Sequence, residues 1–249
     1  MNKTGIDWCD MTYNPVTGCL HDCEYCYARK VTHRFKGGEG TRELHVKNSQ
    51  QEYDSTYPWD FDPTLHVNRL DLPQRTKTPH TVFVGSMCDL FGEWVPDEWI
   101  ERVFESCLKA QDHKYLFLTK NPDRYIKLYE TGKLIVAENF WYGTTVTRRG
   151  DRYFHTNIKG INTFLSIEPL HEDLGELYYN DVMSGEFIKW VILGAETGNR
   201  ANRICPYSEW IENIINAYEA ANLPLFMKSN LKPYWDGELI QKFPPGFLL

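Results

Sequence analysis

Six short apolar runs recur through the later two thirds of this chain: Thr81-Val82-Phe83-Val84-Gly85, Tyr115-Leu116-Phe117-Leu118-Thr119, Phe140 to Thr145, Thr163 to Ile167, Trp190 to Leu193, and Leu225-Phe226-Met227. Continuous apolar runs bounded by polar residues are expected of strands buried on both faces. Helical spacing separates several of them. Pro96 and Asp97 open a helix with Ile100, Val103, Phe104, Cys107 and Leu108 at helical intervals, and Asn121-Pro122 supply a cap and first turn for one carrying Tyr125, Ile126, Leu128 and Tyr129. A third, starting near Ser208, places Ile211, Ile214, Ile215 and Tyr218 on one face. Repeated strand–helix alternation predicts an α/β protein with helices outside a parallel sheet. The length of 249 residues accommodates a partial (β/α)6-type parallel barrel of about six or seven strands as a single domain over residues 1–249.

The flanking segments are less regular. Residues 4–8 (Thr-Gly-Ile-Asp-Trp) read as a short strand leading to the loop Asn14-Pro15-Val16-Thr17-Gly18. A helix follows Cys26 to about Phe35 and ends at Gly37, Gly38 and Gly40. Residues 41–80 read as an irregular insertion, with Leu65-His66-Val67 as a short strand within it, and 229–249 as an irregular C-terminal tail.

In parallel α/β barrels, chemistry sits at the C-terminal ends of the strands. Here those ends carry Ser86 and Asp89, then Lys120, Thr145, Glu168, Glu196 and Lys228. A charge after a buried strand is usually solvated loop, but six polar ends in succession point to a site.

Upstream lies Gly18-Cys19-Leu20-His21-Asp22-Cys23-Glu24-Tyr25-Cys26-Tyr27, with three of the seven cysteines spaced C-x3-C-x2-C. Disulfide pairing would leave one thiol over, so a shared metal centre is the simplest use. Mononuclear zinc needs four closed ligands, which Cys9 or His21 would have to complete, whereas an iron–sulfur cluster on three cysteines keeps one iron open. Cys88 and Cys107 read as inert thiols, and Cys205 precedes Pro206 in a loop. Seven cysteines with no secretion signal fit a reducing cytoplasm, and no apolar run reaches the ~20 residues that span a bilayer. The net charge of −7 argues against a whole-surface footprint for nucleic acid.

The cysteine spacing, with Tyr25 before the last thiol, resembles the signature of the radical SAM superfamily. Val84-Gly85-Ser86-Met87-Cys88-Asp89 and Leu118-Thr119-Lys120 resemble strand-end segments of spore photoproduct lyase-like members, as do Gly143-Thr144-Thr145 and Ile167-Glu168-Pro169. Tyr13-Asn14-Pro15-Val16-Thr17-Gly18-Cys19, Leu165-Ser166-Ile167-Glu168-Pro169-Leu170 and Trp190-Val191-Ile192-Leu193-Gly194-Ala195-Glu196 are similar to a family of radical SAM-like proteins of unassigned activity, many phage-encoded.

The resemblance implies a [4Fe–4S] cluster on Cys19, Cys23 and Cys26 whose open iron takes S-adenosylmethionine. Reductive cleavage would then yield a 5′-deoxyadenosyl radical that abstracts hydrogen from a substrate. It implies cofactor contacts from Ser86 and Asp89 (amino end), Lys120 (carboxylate), Tyr25 (adenine) and Thr145 (ribose or carboxylate). Lys120, Glu168 and Glu196 are the candidate catalytic residues, with Lys228 a further substrate contact. The chain lacks a literal Gly-Gly-Glu element. An external one-electron donor, flavodoxin- or ferredoxin-like, is required. A nucleotide or nucleic acid is the leading substrate class, with Arg148, Arg149, Arg152, Arg200 and Arg203 as a phosphate clamp. The contrasting class is a zinc-stabilised nucleic-acid-binding or scaffold protein without redox chemistry. Oligomeric state is not legible.

Overall fold

The structure, a computed structural model, describes residues 1–35, 45–47, 57, 59–175, 187–201 and 203–247. The strands are β1 (Asn2–Lys3), β2 (Met11–Tyr13), β3 (Val16–Thr17), β4 (His45–Lys47), β5 (Thr64–His66), β6 (Thr81–Val84), β7 (Lys114–Thr119), β8 (Phe140–Val146), β9 (Asn162–Ile167), β10 (Trp190–Leu193) and β11 (Leu225–Met227). The helices are α1 (Tyr27–Arg34), α2 (Leu72–Arg75), α3 (Asp97–Leu108), α4 (Asp123–Glu130) and α5 (Ser208–Ala220). The fold is α/β with a mostly parallel eight-stranded sheet in the order β1-β2-β6-β7-β8-β9-β10-β11. The chain divides into two compact units, residues 1–135 and 136–249.

In the first unit, β2, β6 and β7 run parallel, with Met11 opposite Val82 and Val82 opposite Tyr115. Residues 4–8 do not form the expected strand. β1 pairs antiparallel with β2, Asn2 opposite Thr12, so residues 4–10 are the connection that reverses the chain. Trp8 is buried there, its ring 4.9 Å from Phe83. The loop Asn14–Gly18 holds a strand that local pattern does not reveal. Val16 and Thr17 pair antiparallel with Leu65 and Thr64, and β4 pairs parallel with β5. Part of the expected insertion is therefore a small three-stranded sheet, with β5 at Thr64–His66 against the Leu65–Val67 of the sequence reading. Its remaining residues at 41–44, 48–56 and 58, and the glycines expected to end α1, lie outside the described residues.

α3 packs by its apolar face, with Ile100, Val103, Phe104 and Cys107 essentially buried. Each large side chain withdrawn from water in this way contributes about 1.5–3 kcal/mol. Asn121 is not the cap of α4. The helix starts at Asp123 with Pro122 before it and no side-chain cap, and the Asn121 amide donates to the Phe91 carbonyl at 3.1 Å.

In the second unit, β8, β9, β10 and β11 run parallel, with Gly143 opposite Phe164 and Leu193 opposite both Ile167 and Met227. A Cβ at Gly143 would fall 2.2 Å from the Phe164 ring, so the position has room only for hydrogen. The tail covers the starts of these strands. Phe243 and Phe247 lie 5.5 and 4.8 Å from the Trp190 ring. Met227 N–H donates to Ile240 O at 2.7 Å and Lys242 N–H to Leu225 O at 2.9 Å, which covers the edge of β11.

Candidate metal and cofactor centre

Two polar clusters stand at strand ends, one in each unit. The first is built around the three clustered cysteines. The loop that delivers Cys19 is fixed by backbone bonds: Gly18 N–H to Met87 O at 2.9 Å, Cys19 N–H to Phe61 O at 3.1 Å, and His66 N–H to Pro15 O at 2.7 Å. Beneath, the Thr17 hydroxyl meets His66 Nε2 at 2.7 Å. Gly18 has φ +90°, and a Cβ there would lie 2.3 Å from the Asp62 carbonyl oxygen, so this close crossing requires glycine. Cys26 caps α1, its sulfur accepting the Arg29 N–H at 3.4 Å. Cys19 and Cys26 rest on an apolar floor of Ala28, Phe61 and Met87.

No cysteine is in a disulfide. Burial pushes the Cys19 thiol up to about 12, with the neighbouring Asp89 and the other two thiols adding to the rise against a backbone hydrogen bond from the His21 segment. Burial also raises Cys23, opposed chiefly by the Lys120 ammonium. The three thiols thus lie within electrostatic reach of one another. Among the described residues, no group of three or more His, Cys, Asp and Glu side chains is arranged to hold a metal ion. Three thiolates that each bind a different iron need not share one ion's coordination sphere, so the donor set suits a cluster with one sulfur per iron. A metal bound at Cys19 and Cys23 would have to displace protons that burial favours there.

The sign of the Cys19 shift gives a test. A thiol raised above its unfolded value of about 8.5 adds stability below that pH and loses it as pH rises through the folded value. Iron-free protein should therefore lose stability between about pH 9 and 12. Thermal melts should show part of that slope missing from Cys19→Ser; equal slopes would place the titration elsewhere.

Ser86, Asp89 and Lys120 converge on this loop. Asn14 grips the Ser86 segment, its amide meeting the Ser86 hydroxyl at 3.0 and 3.2 Å and accepting Met87 N–H at 3.0 Å. The Tyr27 hydroxyl donates to the Ser86 carbonyl at 2.7 Å. The buried Asp89 carboxylate accepts from His21 Nε2 (2.7 Å), Lys120 N–H (2.9 Å), Thr119 Oγ1 (2.7 Å) and Phe91 N–H (3.0 Å). Lys120 sets its ammonium 5.2 Å from the centre of the Tyr25 ring.

The second cluster holds the remaining candidates. Thr145 is half-buried near the end of β8, opposite Ser166 of β9. Glu168, which enters a cis bond to Pro169, pairs with the Lys228 ammonium. A Cβ at Gly194 would lie 3.1 Å from the Lys228 chain and 3.3 Å from Glu168. Glu196 is 4% exposed, bound by Arg200 at one oxygen and 3.4 Å from His171 Nε2 at the other. Burial lowers the His171 pKa, against the raising pull of Glu196, while Arg148 and Arg200 add to the fall. The two arginine loops therefore meet at one buried acid–imidazole pair, and Arg200 is committed to it. Arg148, Arg149, Arg152 and Arg203 are exposed.

Sequence reasoning missed Asn14, Tyr27 and His171, and it weighed His21 only as a fourth ligand for zinc, not as the partner of Asp89. His21 carried a signal, lying between the first two cysteines of the motif. Asn14, 72 residues from Ser86, carried none.

No helix among the described residues is long and apolar enough to cross a membrane. No curated protein and no solved structure matches the chain. One family model does, over residues 3–235, nearly the whole length that carries both clusters. The chain belongs to the family described as "Protein of unknown function (DUF5131)".

Proposed function

We propose that this protein is a radical S-adenosylmethionine enzyme on a partial (β/α)6-type barrel, with a [4Fe–4S] cluster on Cys19, Cys23 and Cys26. The observation that carries the reading is the gathering of the C-x3-C-x2-C loop with Ser86, Asp89 and Lys120 at the C-terminal ends of β6 and β7. Cys19, Cys23 and Cys26 would hold the cluster, which with an external one-electron donor would supply the electron for reductive cleavage of S-adenosylmethionine. The chain's part is to hold and orient. Lys120 offers its ammonium to the cofactor carboxylate, Tyr25 a flat surface to the adenine, and the Ser86 segment polar groups to the amino end. Cys19 and Cys26 pack on the apolar floor of Ala28, Phe61 and Met87. The second unit's Glu168–Lys228 and His171–Glu196–Arg200 groups are candidate substrate-binding elements in their own right. Exposed arginines beside the latter favour a phosphate-bearing substrate, a nucleotide or nucleic acid.

Anaerobic purification should give a brown protein with about four irons per chain and a broad absorbance near ~400 nm. Dithionite with S-adenosylmethionine should then release 5′-deoxyadenosine. A colourless protein holding one zinc and releasing no nucleoside would sink the proposal. Lys120→Ala should keep its iron and bind S-adenosylmethionine roughly 10–100-fold more weakly, the worth of one hydrogen bond to a charged group. Loss of iron in that variant would place Lys120 among the groups that support the cluster.

A further inference from the structure

A carboxylate has about four lone-pair sites. Asp89 fills them: Oδ1 accepts from Thr119 Oγ1 and Phe91 N–H, and Oδ2 from Lys120 N–H and His21 Nε2. An ammonium arriving from a ligand would have to break one of these bonds. The four donors come from different stretches of chain: the turn after β6, the end of β7, the residue after it, and the three-residue span between Cys19 and Cys23. Two of the four, from Thr119 and Lys120, tie the end of β7 to the turn after β6, and the Phe91 bond closes that turn. The fourth reaches out to the cysteine loop, and it is made by a side chain. His21 must carry its proton on Nε2 to donate, and its ring meets Trp94 edge-on at 4.8 Å, which sets the ring's plane. Asp22, next to it, sits in the left-handed region at φ 54°, so the backbone between the two cysteines turns sharply where His21 reaches inward.

We infer that Asp89 is a positioning residue that fixes the Cys19–Cys23 span through His21, and that it does not bind the cofactor. The inference rests on reading that span as the cluster site. It replaces the amino-group contact suggested by resemblance with a strut that sets Cys19 and Cys23 relative to Lys120. The strut has no slack: the same oxygen that receives His21 also receives the Lys120 backbone, so a displacement of either is felt by the other.

The test uses iron-free, full-length protein and iodoacetamide, with alkylation mapped cysteine by cysteine. His21→Ala removes one bond and leaves the other three on Asp89. Cys19 and Cys23 should then alkylate about tenfold faster, the effect of releasing one hydrogen bond to a charged group. Exposed Cys205 should be unchanged, and buried Cys107 should stay unreactive, which reports that the fold is intact. His21→Gln keeps an N–H donor and should restore slow alkylation. Unchanged rates at Cys19 and Cys23 in His21→Ala would overturn the inference. So would an Asp89→Asn protein that alkylates like wild type yet, once reconstituted, fails to bind S-adenosylmethionine, because that is the behaviour of a direct ligand. In reconstituted His21→Ala the cluster should remain but with a shifted reduction potential; an unshifted potential would count against the strut. Should wild type take up no iron, the proposed function fails while the alkylation pattern still decides the role of Asp89.

Discussion

Cys23→Ala is expected to lose nearly all bound iron, falling from about four per chain to close to none, with little change in thermal stability. The expectation follows from how the loop is anchored. Its fixed points are the Gly18 and Cys19 backbone bonds on one side and the α1 cap at Cys26 on the other. Cys23 contributes a backbone carbonyl, which accepts Cys26 N–H at 3.1 Å and survives the substitution. Only the sulfur goes, and with it one of the three proposed ligands. Cys88 is the control. Its backbone bridges to Gly18, but it lies outside the C-x3-C-x2-C spacing. Cys88→Ala should keep its iron. Iron retained in Cys23→Ala, or lost in Cys88→Ala, would reassign the ligands, and an iron assay with the visible spectrum is enough to tell.

The second large effect is expected at Gly18. Alanine there adds a Cβ 2.3 Å from Asp62 O and 2.6 Å from Phe61 O, both backbone atoms that cannot swing aside, at a φ of +90°. The left-handed conformation costs a side chain about 1–2 kcal/mol, and overpacking adds about 1–3 kcal/mol. For a chain of this size the sum corresponds to roughly 5–15 °C in Tm. Relief of the clash must also open the crossing that places Cys19, so iron should be lost along with stability. Gly132→Ala separates the two contributions. Gly132 has φ +71° and nothing within 4 Å, so it should pay only the conformational part and keep its iron. Differential scanning calorimetry and iron content on the two variants would check both halves. A Gly18→Ala protein with wild-type Tm would show that the crossing is looser than its geometry.

The sequence announces β6 through β11 because each carries a run of large apolar residues buried on both faces, which the few polar residues within the strands do not break into an alternating pattern. It conceals β2 and β3. Met11–Tyr13 is three residues long, and Val16–Thr17 becomes a strand only because Leu65 and Thr64 arrive beside it, about 48 residues later. Pairing at that distance is a tertiary event that local spacing does not encode. The site divides in the same way. Cys19, Cys23 and Cys26 are legible as one group because they lie within eight residues on one loop. Glu168 and Lys228 are each visible as charged strand ends, but their pairing across 60 residues is not. Asp89 looks in sequence like a ligand-ready acid, and only the count of its hydrogen bonds shows it to be occupied. Likewise, Asn121 before Pro122 has the chemistry of a helix cap, yet Phe91 O claims its amide first.

The bracing of the Cys19 loop from outside the motif bears on how the protein would live with oxygen. Small zinc-stabilised domains unfold when stripped, so for them losing the metal means degradation. Here backbone bonds to Phe61 and Met87, and the Pro15–His66 bond beside them, brace the Cys19 loop from outside the C-x3-C-x2-C motif. If the proposed cluster is bound there, these anchors do not depend on it; the protein stripped of iron is then expected to stay folded and reloadable, and its working life would follow iron–sulfur supply.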